Sequence, residues 1–359
     1  MKQTIYTKLL RPCVDALLVL PILVACSSDN TNVASDTPRE QPITISSNLT
    51  EAVMTRGSEE AYTTQGNNKV FTAGRSVDLF ISESVGNPPV YQGEVNFLKT
   101  TAPTGDGAAG VGNFSWYNNS GRTGDVITKY WPSSGNGLYF LAYYPANAIT
   151  GPVLSSTDTP QTFTCDADQG AADGALAYDL MFGAPTTNPV PRANAADPVT
   201  LVFKHCLSKV VVSIQKDNSI QDESELTGAT ITLGNSDMYN QADITPNTGD
   251  ATKTGDADQT FTLKAAGNTG LTNYCIIPPQ MLTGKTITIT LAGGAVATYV
   301  IPQFDPGTGV VDVITEPGKV YSYTFTLGLT TAPANMTVTD WTEGLDGPQG
   351  VNIDAIQHP

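Results

Sequence analysis

Val199–Gln215, VTLVFKHCLSKVVVSIQ, reads as two strand-like pieces around a short helix or bend at His205–Ser208. Leu201, Phe203, Leu207, Val210, Val212 and Ile214 supply the apolar positions, and β-branched residues dominate. The chain continues in kind on both sides. Upstream, VFTAGRSVDLFIS (Val70–Ser82) alternates at Val77, Leu79 and Ile81, and VYQGEVNFL (Val90–Leu98) follows. After a Gly-rich loop, Phe114–Tyr117 and Asp125–Trp131 are further strand candidates. GLYFLAYYPAN (Gly137–Asn147) places Leu138, Phe140, Ala142 and Tyr144 on one face and Tyr139, Leu141 and Tyr143 on the other, so both faces should be covered. Downstream, ATITL, QTFTL, YCII, KTITITL, TYVI, YSYTFTL and MTVTDW recur at short intervals. Many short strands with turns between them predict an all-β chain with a β-sandwich in each half. The run Thr187–Pro198, TNPVPRANAADP, reads as a linker or extended crossing, giving units over 43–195 and 196–359.

The 359 residues carry 18 basic against 34 acidic side chains, a formal net charge of −16. Phosphate binding needs clustered Lys and Arg, so no nucleic-acid partner is expected. The chain has two histidines and no GxSxG, HExxH, CxxC or phosphate-loop pattern. His205 lies in an apolar strand region and is expected to be a hydrogen-bonded structural residue. Cys165, Cys206 and Cys275 read as buried apolar residues rather than a disulfide framework. Asp166, Asp168 and Asp173 resemble a calcium loop in spacing, yet they lack its glycine and terminal glutamate. Solvated turns are expected there, with no metal or cofactor. Trp116, Tyr117, Trp131 and Tyr143 are candidates for a sugar groove, against a core role. No enzymatic site emerges.

The N-terminus directs export. Lys2, Lys8 and Arg11 precede the apolar run Leu17–Ala25, and Leu23-Val24-Ala25-Cys26 matches a bacterial lipoprotein signal. Residues 1–25 are then expected to be the signal peptide and Cys26 the acylated N-terminus, against an ordinary secretory signal with an incidental cysteine. Residues 26–42 are polar and should form a flexible tether. ITISSNLTEAVMTRG (Ile43–Gly57) begins as a strand, with Ile43 and Ile45 alternating with Thr44 and Ser46. At the other terminus, 342–359 holds a Gly/Pro-rich portion and then VNIDAIQHP, where Val351, Ile353 and Ala355 share one face of a short candidate strand.

Taken in order, the lipobox at Cys26, Met54-Thr55-Arg56, Tyr139–Pro145 (YFLAYYP), Asp179–Phe182 (DLMF), Leu201–Val210 (LVFKHCLSKV) and Val338–Trp341 (VTDW) resemble the fimbrillin superfamily, the Mfa-like and FimA-like fimbrium subunits of the Bacteroidales. The resemblance implies two transthyretin-like β-sandwich domains in tandem. It implies a lipoprotein on the outer membrane surface that joins other fimbrial subunits in adhesion, where a host or bacterial surface ligand is a further partner. It also implies an arginine-specific, trypsin-like protease that cuts behind the first strand. Arg56, with Gly57 after it, matches that position; Arg75, Arg122 and Arg192 are its rivals. Removal of residues 43–56 would open an apolar groove for a donor strand, and Val351–Ile356 matches the donor position. An edge position for residues 43–54 is expected on this scheme, and a mid-sheet position would argue against cleavage. A membrane-retained anchor or tip protein and a glycan-binding lipoprotein are the alternatives.

Overall fold

The structure is a computed structural model. It describes residues 41–49, 62–65, 68–86, 96–100, 113–150, 153–170, 175–216, 223–266, 271–304, 309–327 and 334–340. The described residues contain strands and three short 3-10 turns, and no α-helix.

The strands of the first half are β1 (Ile45–Leu49), β2 (Tyr62–Gln65), β3 (Asn68–Phe71), β4 (Ser76–Ser82), β5 (Asn96–Thr100), β6 (Asn113–Tyr117), β7 (Val126–Ile127), β8 (Tyr139–Tyr144), β9 (Gln161–Thr164), β10 (Met181–Ala184) and β11 (Val199–His205). Those of the second are β12 (Ser208–Lys216), β13 (Thr230–Met238), β14 (Gln241–Ile244), β15 (Ala251–Thr254), β16 (Gln259–Thr262), β17 (Lys264–Ala265), β18 (Thr272–Ile277), β19 (Thr286–Thr290), β20 (Val296–Val300), β21 (Lys319–Leu327) and β22 (Ala334–Asp340).

The first sheet runs β2-β3-β1-β11-β10-β8-β4-β5-β6-β7, and β1 also pairs with β6. That last pairing closes seven strands into a ring. Two separate sheets were expected here; the hydrogen bonding is instead one continuous circuit, because Ile45 and Ser46 reach back to Phe114 and Asn113. Strand alternation fills the ring. Phe140, Ala142 and Tyr144 of β8, Leu201 and Phe203 of β11, and Val77, Leu79 and Ile81 of β4 point into its core. Phe71 packs edge-on against Phe203, with ring centroids 4.9 Å apart. Gly183 lies directly beneath Phe203, and a Cβ there would sit 2.6 Å from the ring, so DLMFGAP needs its glycine.

The outer wall of the ring is buried too where β8 and β10 stand. Leu141 and Tyr143, on the opposite face of β8, join a second core with Phe182. The Tyr143 hydroxyl donates to the carbonyl of Pro246 at 2.8 Å. The two-faced reading of YFLAYY therefore holds. The second core lies between a five-stranded sheet, β17-β18-β12-β21-β22, and a four-stranded one, β16-β13-β19-β20. Tyr299 of β20 meets Phe325 of β21 edge-on at 5.3 Å.

His205–Ser208 is a bend, not a helix. At Cys206–Leu207 the chain leaves the ring and enters the five-stranded sheet. Both residues are buried. The junction is pinned: the Cys206 N–H donates to Leu180 O at 2.8 Å, and His205 Nδ1 lies 2.6 Å from Asp179 Oδ1. DLMF and LVFKHC thus meet through a buried polar pair. The division expected at 195/196 falls before β11, whose hydrogen bonds go to β1 and β10 in the ring. Conversely, β9 pairs with β14 of the second half. Within the expected linker, Val190 exchanges two backbone hydrogen bonds with Leu138.

Candidate functional site

β1 lies mid-sheet, not at an edge as expected. Along one side it runs parallel to β11 in a five-residue register from Ile45↔Val199 to Leu49↔Phe203. Along the other it runs antiparallel to β6 and then meets β3 at Lys69. Just before the strand, the Ile43 N–H donates to Lys129 O and the Trp131 N–H to Gln41 O, both at 2.8 Å. The Val199 N–H donates to Thr44 O at 2.8 Å. The indole N–H of Trp116 reaches the carbonyl of Ile43 at 3.1 Å. Residues 41–49 therefore fill a slot bounded by backbone on both sides.

The slot is apolar inside and polar outside, as the ITISS alternation dictates. Ile43 and Ile45 are each 2% exposed and Ser47 is buried, while Thr44 is exposed. On the outer face Ser46 Oγ and Thr200 Oγ1 lie 2.9 Å apart. The trough beneath is lined by Phe114, Trp116, Trp131, Val199 and Leu201. Burying two isoleucines there is worth about 1.5–3 kcal/mol each. Lys129 and Trp131 were not singled out by sequence for this site. Their role rests on backbone atoms beside an irregular segment, which leaves no periodic signal.

Ile43 and Ile45 are the site residues of the sequence reading that the structure describes. Cys26, Arg56, Gly57, Val351, Ile353 and Ala355 lie outside the described residues. Among the rival arginines, Arg122 is 4% exposed. Its guanidinium donates to Leu98 O at 2.9 Å, Ser120 O at 2.7 Å and Val77 O at 3.2 Å, and pairs with Asp78. It is a structural residue that no protease reaches in the folded chain. Arg75 is half-buried with Nε donating to Thr72 Oγ1 at 3.1 Å. Arg192 lies over Trp131, 5.7 Å from the ring centroid.

The sugar-groove alternative loses three of its four aromatics, and Tyr117 is left half-buried. Trp116, Trp131 and Tyr143 are all buried in the two cores. Asp166 and Asp168 accept hydrogen bonds from the backbone N–H two residues on, at 3.1 and 3.2 Å, which is turn geometry. All three described cysteines are buried free thiols. Burial pushes the Cys206 thiol up to about 12, which makes it a poor nucleophile.

The fimbrillin-like family model matches residues 64–341, most of the chain. The chain belongs to that family. It is a family of structural proteins rather than enzymes. Fim1C of Bacteroides uniformis, named as a candidate fimbrium subunit, is 24% identical over 345 residues, covering 94% of this chain and 97% of its own. Two solved candidate cell adhesion proteins share the fold. One, from Bacteroides uniformis, superposes with a TM-score of 0.58 at 18% identity, over 85% of this fimbrillin-like chain and 100% of its own. The other, from Bacteroides ovatus, gives 0.59 at 16% identity, over 85% and 99%.

Proposed function

We propose that the chain is a structural subunit of a cell-surface fimbrium serving adhesion, assembled by strand exchange at the β1 slot. It is exported as a lipoprotein acylated on Cys26 and tethered to the outer membrane through residues 26–42. An arginine-specific, trypsin-like protease then cuts Arg56–Gly57. The ring and the second-half sandwich correspond on this reading to the two transthyretin-like domains, divided at Cys206–Leu207.

The observation that carries the proposal is the slot itself. β1 is the stave that closes the ring, and the cut would fall between it and the rest of the ring. Without it, β11 and the Asn113–Phe114 end of β6, whose other end stays paired with β7, would present unpaired backbone above an apolar trough, a template for strand addition. The C-terminal tail offers a matching insert. Inward positions Ile43, Ile45 and Ser47 run large, large, small; Val351, Ile353 and Ala355 do the same at the same spacing. A donor from the next subunit makes a heterologous contact that does not close, so it propagates as a filament.

The mid-sheet position of β1 argues against the cut at Arg56 as first expected, and against a strand that merely peels away. Its hydrogen bonds on both sides are lost together. Release therefore has to be coupled to an incoming strand that takes both edges. The same observation favours a second reading, in which β1 stays in place and the protein is a membrane-retained anchor or accessory. Treatment of the purified precursor with a trypsin-like protease separates the two. Strand exchange gives a new terminus at Gly57 and SDS-resistant ladders. An intact Arg56–Gly57 bond with monomeric protein supports the anchor.

A further inference from the structure

Nine large apolar side chains are strongly exposed among the described residues, and six of them fall between residues 281 and 314: Met281, Val296, Val300, Val310, Val311 and Ile314. Bridges between Met281 and Ile314 and between Phe304 and Val311 tie this stretch together. β20 is the outer strand of its sheet, with β19 on one side. Its sequence, VATYV, has no lysine, proline or charge, the devices that normally blunt an edge strand.

The face of this sheet is equally unusual for so acidic a chain. The register aligns Thr262, Thr232, Thr288 and Thr298 in one rank across all four strands. No residue that the register pairs in this sheet is charged. The charged pair at one end, Lys285 and Asp237, is neutralised at 3.0 Å. Two copies of a chain at −16 repel wherever acidic surfaces meet. Here they can approach without a like-charge contact.

We propose that β20 is a self-association edge, at which a second copy of this chain pairs its own β20 antiparallel about Thr298. Val296 of one copy then faces Val300 of the other, and the two four-stranded sheets become one sheet of eight. The contact is isologous and closes as a pair. It requires neither the β1 slot nor the tail, so in a fimbrium it acts between strands of polymer rather than along them.

Sedimentation velocity of the uncut chain tests this. The expected result is a reversible dimer that forms through the micromolar range and strengthens from low to high salt as the net charge is screened. Thr298→Lys should weaken dimerisation more than about tenfold, because two like charges then lie directly opposite. The substitution moves the net charge toward zero, so a general charge effect would strengthen association instead. Val126→Lys, at a strongly exposed site on β7, should leave the dimer no weaker. A chain monomeric throughout, a dimer untouched by Thr298→Lys, or a dimer lost on removing residues 342–359 would each overturn the proposal; the last would put the tail on this edge. None of these outcomes bears on the Arg56 cut.

Discussion

In the ring, β6 and β11 face each other across β1, and the circuit closes only because residues 41–49 lie between them. In the four-stranded sheet, β20 ends the row and its outer side carries no partner among the described residues. Both arrangements bury a dense core beneath alternating strands. They differ in where the last strand comes from. The ring takes it from the extreme N-terminal part of the fold, and the next described strand, β2, starts only at Tyr62. The sandwich builds itself from strands that follow one another from β12 onward. On the proposed reading a single cleavage behind β1 alters the ring and leaves the chain from β12 to β22 uncut.

The largest effect should come from removing the stave outright. A chain beginning at Gly57 should lose hydrogen-exchange protection at β6 and β11 by about a hundredfold or more, while Val210–Ile214 of β12 keeps its protection. Equal loss in both halves would mean that the ring and the sandwich unfold as one. Next is Arg122→Ala, which should cost about 3–5 kcal/mol in denaturant unfolding, because it strands Asp78 in the interior. Burial already raises the Asp78 carboxyl above its usual range, with Arg122 and the Asn147 N–H opposing that shift. Ile45→Ala should cost about 2–5 kcal/mol and fall on the ring alone.

A more gradual loss is expected in alkali. Burial raises the thiols of Cys165, Cys206 and Cys275, that of Cys206 to about 12. Unfolded thiols ionise near their ordinary value of 9.0, whereas the folded ones stay protonated. Stability is therefore fully present below that pH and falls as the pH rises toward 12, by at most about 1.4 kcal/mol per thiol per pH unit. Replacing all three cysteines with alanine should flatten the slope of Tm against pH. Least of all, Ser46→Ala should change stability by under about 0.5 kcal/mol, because its partner Thr200 sits on the exposed face.

Strand content was legible because alternation is local. YFLAYY announced two covered faces, and both are covered. The His205 role was legible in kind but not in partner, since Asp179 is 26 residues away in sequence. Closure of the ring was not legible. It depends on Ile45 and Ser46 meeting β6 across some 70 residues, and nothing in ITISS distinguishes a central stave from an edge strand. The bend at His205–Ser208 was legible, but not that the chain changes sheets there. TNPVPRANAADP has the composition of a linker, yet Val190 is tied to Leu138. The real crossing is two buried apolar residues, Cys206 and Leu207.

The central claim is that the stave is exchanged. Its most direct test is the N-terminal sequence of the protein recovered in polymer from the bacterial surface. The account predicts a chain that starts at Gly57, with amides of β6 and β11 protected by a strand from a neighbouring copy. A polymer whose subunits still carry an acylated Cys26 and residues 43–56 would contradict it.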